Sequence, residues 1–240
     1  MKLPFLILII CCISACGNSN ANNQSVQINS DTTDVVLHNS TPVDSILYVE
    51  VPAVVYPVAT TDSVAYSIRK HEAESLRSKL NEAYKQEAIS IDSVGTAFED
   101  YLINRIIPHW YGTPWTFEGH TNIPGEGAVA CGYFVSTTLR HMNIQINRYH
   151  LAQQAAMNEA KSLAINFDRI STYQSISDFE NTLDNGLYLV GLTQHVGFLY
   201  KCSEGLYFIH SNYMDDVSVM IQEAHHSQPL VYSDIYVLVR

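Results

Sequence analysis

The chain has 240 residues, with 24 acidic side chains against 13 Lys and Arg, a net charge of −11 and a pI near 5.2. That balance excludes a nucleic-acid partner, whose phosphates demand a basic footprint. The length suffices for one domain with a substantial core, and no internal repeat is present.

The sequence opens MKLPFLILIICCISACGNSN. Lys2 precedes an apolar run over residues 3–13, and the small Ser14 and Ala15 lead into Cys16. This run is too short to span a bilayer as a helix and has the shape of an export signal. Ile13-Ser14-Ala15-Cys16 resembles a bacterial lipobox. That resemblance implies a signal peptide over residues 1–15, a lipidated Cys16 and a protein anchored to a cell-envelope membrane by several acyl chains. An ordinary cleavable signal is the alternative. Gly17 rather than Asp after Cys16 points to the outer membrane, with the protein facing the periplasm or the surface.

Residues 16–45 are rich in Asn, Ser, Thr, Asp and Gln and read as a flexible tether, because they bury too little apolar surface to repay ordering. Residues 46–90 read as an extended segment broken by Pro52 and Pro57, then a charged support helix over about 61–88. A second helix is predicted over 93–107, where Phe98, Leu102 and Ile106 recur at helical spacing, ending near Pro108. Residues 111–128 form a loop punctuated by Gly112, Pro114, Gly119, Pro124, Gly125 and Gly127. Cys131 opens a helix to about Met142. RYHLAQQAAMNEAKSLA reads as another single helix, and ISDFENTL as a short one capped by Ser177 with Glu180. After Asn185-Gly186 the period changes to short Val-, Ile-, Tyr- and Phe-rich runs. Helices first and strands afterwards predict an α+β domain over residues 91–240, with N-terminal helices packed on an antiparallel sheet.

Beyond the signal the cysteines are Cys131 and Cys202. One sits at a helix start and the other in a predicted hairpin turn, so they are read as unpaired. A helix N-terminus favours a thiolate, though a lone cysteine is more often a buried small residue. Two histidines alter that balance. His195 opens one strand and His210 ends the next, and pairing about a turn centred near 203 sets His195 opposite about residue 211. An imidazole beside a second imidazole is a base with an orienter, which is what activates a thiol. His225 and His226 with Asp215 and Asp216 match no compact ligand spacing and read as a solvated loop, so no metal or cofactor is expected.

YGTPWTFEGHTNIPGEGAVACGYFV, with HVGF and FIHS further on, resembles the active-site segments of the NlpC-like family of cell-wall cysteine peptidases, over about residues 110–211. The resemblance implies a papain-like fold and a catalytic triad of Cys131, His195 and His210. It implies an oxyanion or substrate site formed by Tyr111, Trp115 and Gly132. It further implies a peptidoglycan stem-peptide substrate cut at an amide. The family's Asp before the nucleophile is Ala130 here, its following Ser is Gly132 and the next Gly is Tyr133, so peptide preference does not carry over. Trp110, Tyr111, Trp115 and Phe117 either line the groove or pack the loop to the core. The expected protein is a monomeric envelope lipoprotein hydrolase. A non-catalytic wall-binding module, and a thiol amidase or acyltransferase on another substrate, are the alternatives.

Overall fold

The switch from helical to alternating periodicity near residue 186 divides the architecture as well as the sequence. The structure, a computed structural model, describes residues 25–27, 36–38, 63–164, 166–214 and 216–240. The predicted signal, Cys16, the extended segment before residue 62 and Asp215 lie outside the described residues. Within the stretch read as a tether, β1 (Ser25–Gln27) and β2 (Val36–His38) pair antiparallel, with Ser25 opposite His38. They belong to a separate unit from residues 63–240.

In the larger unit α1 (Ser63–Lys85) and α2 (Ile91–Tyr101) precede α3 (Cys131–His141), α4 (Arg148–Ala152) and α5 (Ala156–Leu163). After β3 (Ile170–Tyr173) and α6 (Ile176–Glu180) come β4 (Gly186–Gly191), β5 (Val196–Cys202), β6 (Gly205–Ser211) and β7 (Val219–Glu223). The chain closes with α7 (Gln228–Val231) and β8 (Tyr236–Val239). The strands form one antiparallel sheet in the order β3-β8-β4-β5-β6-β7. The α+β expectation therefore holds. Among the described residues, no helix is long and apolar enough to cross a membrane.

Side chains alternate across the sheet, as a strand's period of two requires. Tyr188, Val190, Leu199, Leu206, Phe208 and Leu238 join one buried cluster with Phe179 of α6 and Leu230 of α7. On α3, Phe134 meets Phe198 of β5 edge to face at 6.0 Å and Trp110 at 6.2 Å. Trp110 Nε1 donates to Tyr66 Oη at 2.7 Å, and Tyr66 in turn hydrogen-bonds His141 Nδ1 at 2.8 Å. The support helix is thus pinned to α3 through buried polar groups that satisfy one another.

Three local expectations need correction. RYHLAQQAAMNEAKSLA is two helices rather than one, interrupted at residues 153–155, where Ala155 is extended (φ −58°, ψ 139°). The break lets α5 settle on β4 with its backbone against Gly191, where a Cβ would lie 2.6 Å from the Ala156 carbonyl oxygen. The short helix is capped by Ser175 with Asp178, not by Ser177 with Glu180, because the chain is already helical at Ile176. The second helix keeps α-geometry only to Tyr101, continues as a π-turn over Leu102–Ile106 and tightens to 3-10 at Ile107–Trp110. There Pro108 has no N–H to continue the ladder. The strand β3 went unrecognised, because four residues with two exposed positions carry little pattern.

Candidate functional site

Cys131 is placed by the loop before it, and backbone hydrogen bonds fix that loop. Gly112 donates to the Val219 carbonyl at 2.8 Å, Val219 to the Thr113 carbonyl at 2.9 Å and Trp115 to the Val217 carbonyl at 2.9 Å. The segment therefore runs as an irregular extension beside β7. It folds back at Gly119, where a Cβ would lie 2.7 Å from the backbone of Val129. Val129 then donates to the Pro114 carbonyl and Ala130 to the Gly119 carbonyl, each at 2.8 Å. Finally Ser211, at the end of β6, donates to the Val129 carbonyl at 2.6 Å. The strand carrying His210 and the loop carrying Cys131 are thereby joined by a buried bond one residue from the first and two from the second.

β5 and β6 pair with Phe198 opposite Ile209 and Cys202 opposite Gly205. Continued outward, this register sets Gly197 opposite His210 and His195 opposite residue 212, one residue from expectation. His195 and His210 are thus diagonal neighbours. The intervening Gly197 leaves the space they need, since a Cβ there would stand 2.6 Å from the Phe208 ring and 2.9 Å from His210 Cβ. His195 Nε2 lies 2.8 Å from His210 Nδ1, and His210 Nε2 lies 3.0 Å from Gln222 Oε1.

The acceptor at the end of this chain sets every proton in it. Gln222 Oε1 only accepts, so His210 carries its proton on Nε2 and has a lone pair on Nδ1. His195 must then donate from Nε2, which leaves Nδ1 as a bare lone pair. That Nδ1 is buried and without a hydrogen-bond partner. Burial holds His210 down at about 4, opposed by Gln222. Burial, then the neighbouring His210, holds His195 well below the usual histidine range. Both rings are neutral at pH 7.

The Cys131 thiol accepts from the backbone N–H groups of Val196 and Gly132 as well as its own, so it lies against the residue that follows His195. These donors favour the thiolate, but dense surroundings and then the Glu159 carboxyl push the thiol up to about 11. Cys131 nevertheless keeps a partly exposed surface. At neutral pH Cys131 is thus a neutral thiol, not the thiolate expected from the helix N-terminus alone, and His195 Nδ1 makes no hydrogen bond to it. Burial raises Glu159 itself to about 8, and its Oε1 has no partner. Its Oε2 would lie 2.6 Å from a Cβ on Gly132. The same Cβ would lie 2.8 Å from the Ala152 carbonyl oxygen, and that backbone contact explains glycine at this position, since serine would collide with the end of α4.

Of the three residues expected around the oxyanion, Gly132 is at the thiol. Trp115 packs on Tyr213 at 5.9 Å, and Tyr213 packs on His195 at 5.1 Å. The buried Trp115 Nε1–H has no partner, which makes it a free donor one ring away from the base. Tyr111 is elsewhere, buried along β7 and lining a cavity of about 430 Å³ with Gly112 and residues 216–221. Trp110 belongs to the core, whereas Phe117 is 83% exposed. Cys131 and Cys202 are both free thiols, as read from the sequence. His225 and His226 pair with Glu180 and Glu223, each at 3.0 Å.

Gln222 and Glu159 carry no motif by which the sequence alone would single them out. Gln222 shares the face of Met220, which sits opposite His210, so the alternation of β7 carried a weak signal for it. Glu159 lies in a run that the sequence marks only as helical. Compared with models of protein families, with curated proteins and with solved structures, the chain matches none.

Proposed function

We propose that the protein is a thiol-dependent amide hydrolase, with Cys131 as nucleophile, His195 as base and His210 as orienter. The observation that carries this is the unpartnered Nδ1 of His195. A proton chain ending at Gln222 holds it unprotonated, beside the strand whose N–H meets the sulfur. Attack on an amide carbonyl carbon moves the thiol proton to His195 Nδ1 and forms the S–C bond. The backbone N–H groups at the start of α3 are the donors for the developing oxyanion in this reading, with the unpartnered Trp115 Nε1–H as a further candidate. The imidazolium then protonates the leaving amine as the C–N bond breaks. Water, deprotonated by His195, displaces the sulfur and releases a carboxylic acid.

The resemblance to NlpC-like peptidases supports a papain-like fold and a peptidoglycan stem peptide as substrate. The lipobox-like Ile13-Ser14-Ala15-Cys16 supports an envelope lipoprotein. The neutral thiol favours one competing reading, a wall-binding module that kept the fold. Full-length protein and Cys131→Ala are to be incubated with purified peptidoglycan and the released fragments weighed by mass spectrometry. Fragments from the first and none from the second establish the hydrolase and locate its bond. Bound but intact sacculi in both cases favour the binding module.

A further inference from the structure

Among the described residues Arg148 is the one arginine or lysine that is fully buried, at 1% exposed. Its Nη2 donates to the His120 carbonyl oxygen. Its Nε and Nη1 have no partner. The guanidinium lies over the rings of Tyr133 and Tyr149, at 5.2 and 4.9 Å from their centroids. Ring faces stabilise a cation but do not neutralise it or take up its N–H donors. No carboxylate pairs with Arg148 among the described residues; the charged neighbour is Arg140, which repels it. A chain with a net charge of −11 has carboxylates to spare, yet a desolvated guanidinium is left uncompensated.

The cage is attached to both arms that hold the nucleophile. Tyr133 is two residues past Cys131 on the first turn of α3. His120 bridges Val129, two residues before Cys131, and its ring packs on Tyr133 at 5.9 Å. The outer wall is movable. Tyr149 is 47% exposed, and the exposed Gln153 holds Tyr133 Oη only through a long 3.4 Å contact. Exposed side chains change rotamer on the ps–ns scale, so this wall admits a ligand without rearrangement of the fold.

We infer that Arg148, caged by Tyr133, Tyr149 and the His120 carbonyl, is the binding site for a carboxylate of the substrate, which makes the substrate class an acidic peptide anchored beside its scissile amide. That the bound peptide is a substrate rests on the hydrolase reading; the carboxylate site does not. Docking supplies the missing counter-charge and fixes the peptide register along α3.

The test uses full-length Cys131→Ala protein with ¹⁵N-labelled arginine, in which the Arg148 Nε–H signal is assigned by its absence in Arg148→Lys. The probes are N-acetyl-alanyl-glutamate, its uncharged diamide and sodium chloride at matched ionic strength. The Arg148 signal is expected to move saturably with the acidic peptide alone, and titration calorimetry is expected to give an affinity at least tenfold lower in Arg148→Lys. No movement, or equal movement with diamide or chloride, overturns the site, and the parent protein alone suffices to decide this should the variant not fold. Acidic-peptide binding without peptidoglycan cleavage by the unmutated protein would fail the hydrolase and keep the site. Cleavage without such binding would do the reverse.

Discussion

At the scale of single residues, the site is decided by groups that bear no motif. Cys131, His195 and His210 stood out in the sequence because a cysteine opening a helix and histidines on successive strands are uncommon residue types in a telling order. Gln222 was not, since a glutamine on a strand is ordinary until its carbonyl is seen 3.0 Å from His210 Nε2. Its role is testable directly. In Gln222→Leu nothing holds the His210 proton on Nε2, so His210 can protonate Nδ1 and turn donor toward His195. His195 Nδ1 then carries the hydrogen and has no lone pair with which to take the thiol proton. Imidazole ¹⁵N shifts should report that tautomer change, and iodoacetamide should alkylate Cys131 about tenfold more slowly. An unchanged His195 spectrum would remove Gln222 from the chain. Glu159 acts in the opposite sense. Its carboxyl is neutral below about 8 and, once ionised, adds to the burial that raises Cys131. Glu159→Gln should therefore leave alkylation little changed at pH 6 and raise it several-fold between pH 8 and 10. A parallel profile in the two proteins would show that the carboxyl does not control the thiol.

At the scale of elements, α1, α2, α3, α6 and five of the six strands of the sheet were legible from periodicity, while α7, the division of α4 from α5 and the other joints were not. Periodicity records which face is buried, but a helix break such as residues 153–155 depends on what the next element must approach. Here it is Gly191, which leaves no room for a side chain against α5. Gly197 makes the same point for β5. An added methyl would meet the Phe208 ring at 2.6 Å and the Ile209 carbonyl oxygen at 2.8 Å. The ring can turn, but the paired backbone cannot, so Gly197→Ala should cost about 1–3 kcal/mol and spread β5 from β6. Thermal melts read the first effect. The second would appear as loss of the His195–His210 coupling in imidazole spectra. A variant of unaltered stability and spectra would show that the gap is not needed. The anchoring of α1 is a separate matter of hydrogen bonding. Tyr66→Phe leaves the Trp110 indole N–H without an acceptor and His141 Nδ1 without a donor, both in the core. An expected loss of about 1–3 kcal/mol in chemical denaturation follows from those two orphaned groups. A loss below a few tenths would mean that water enters to replace the hydroxyl.

At the scale of the whole molecule, the site's titratable groups give the fold a stability that depends on pH from both sides. His210, ordinarily near 6.5, is held at about 4, His195 is also well below its usual range, and His141 is at about 3. As pH falls below 6.5 the unfolded chain gains protons that the folded one refuses. Stability present above 6.5 is thus lost progressively toward pH 4 and below. Glu159 runs the other way, because the fold keeps its proton up to about 8 while the unfolded chain releases it near 4.5. Stability contributed below 4.5 is therefore lost as pH rises to 8. The two trends oppose one another between 4.5 and 6.5, and above 6.5 the Glu159 trend continues alone among these groups. The melting temperature should pass through a maximum on the acid side of neutrality and then decline by several degrees before pH 8. Glu159→Gln should abolish that decline and leave the acid limb in place, since the amide has no proton to release. Melts of both proteins from pH 4 to 9 decide it. An equal decline in both would place the alkaline loss outside Glu159, whose carboxyl would then already be ionised in the fold near neutrality and would restrain Cys131 at pH 7 as well as at pH 9.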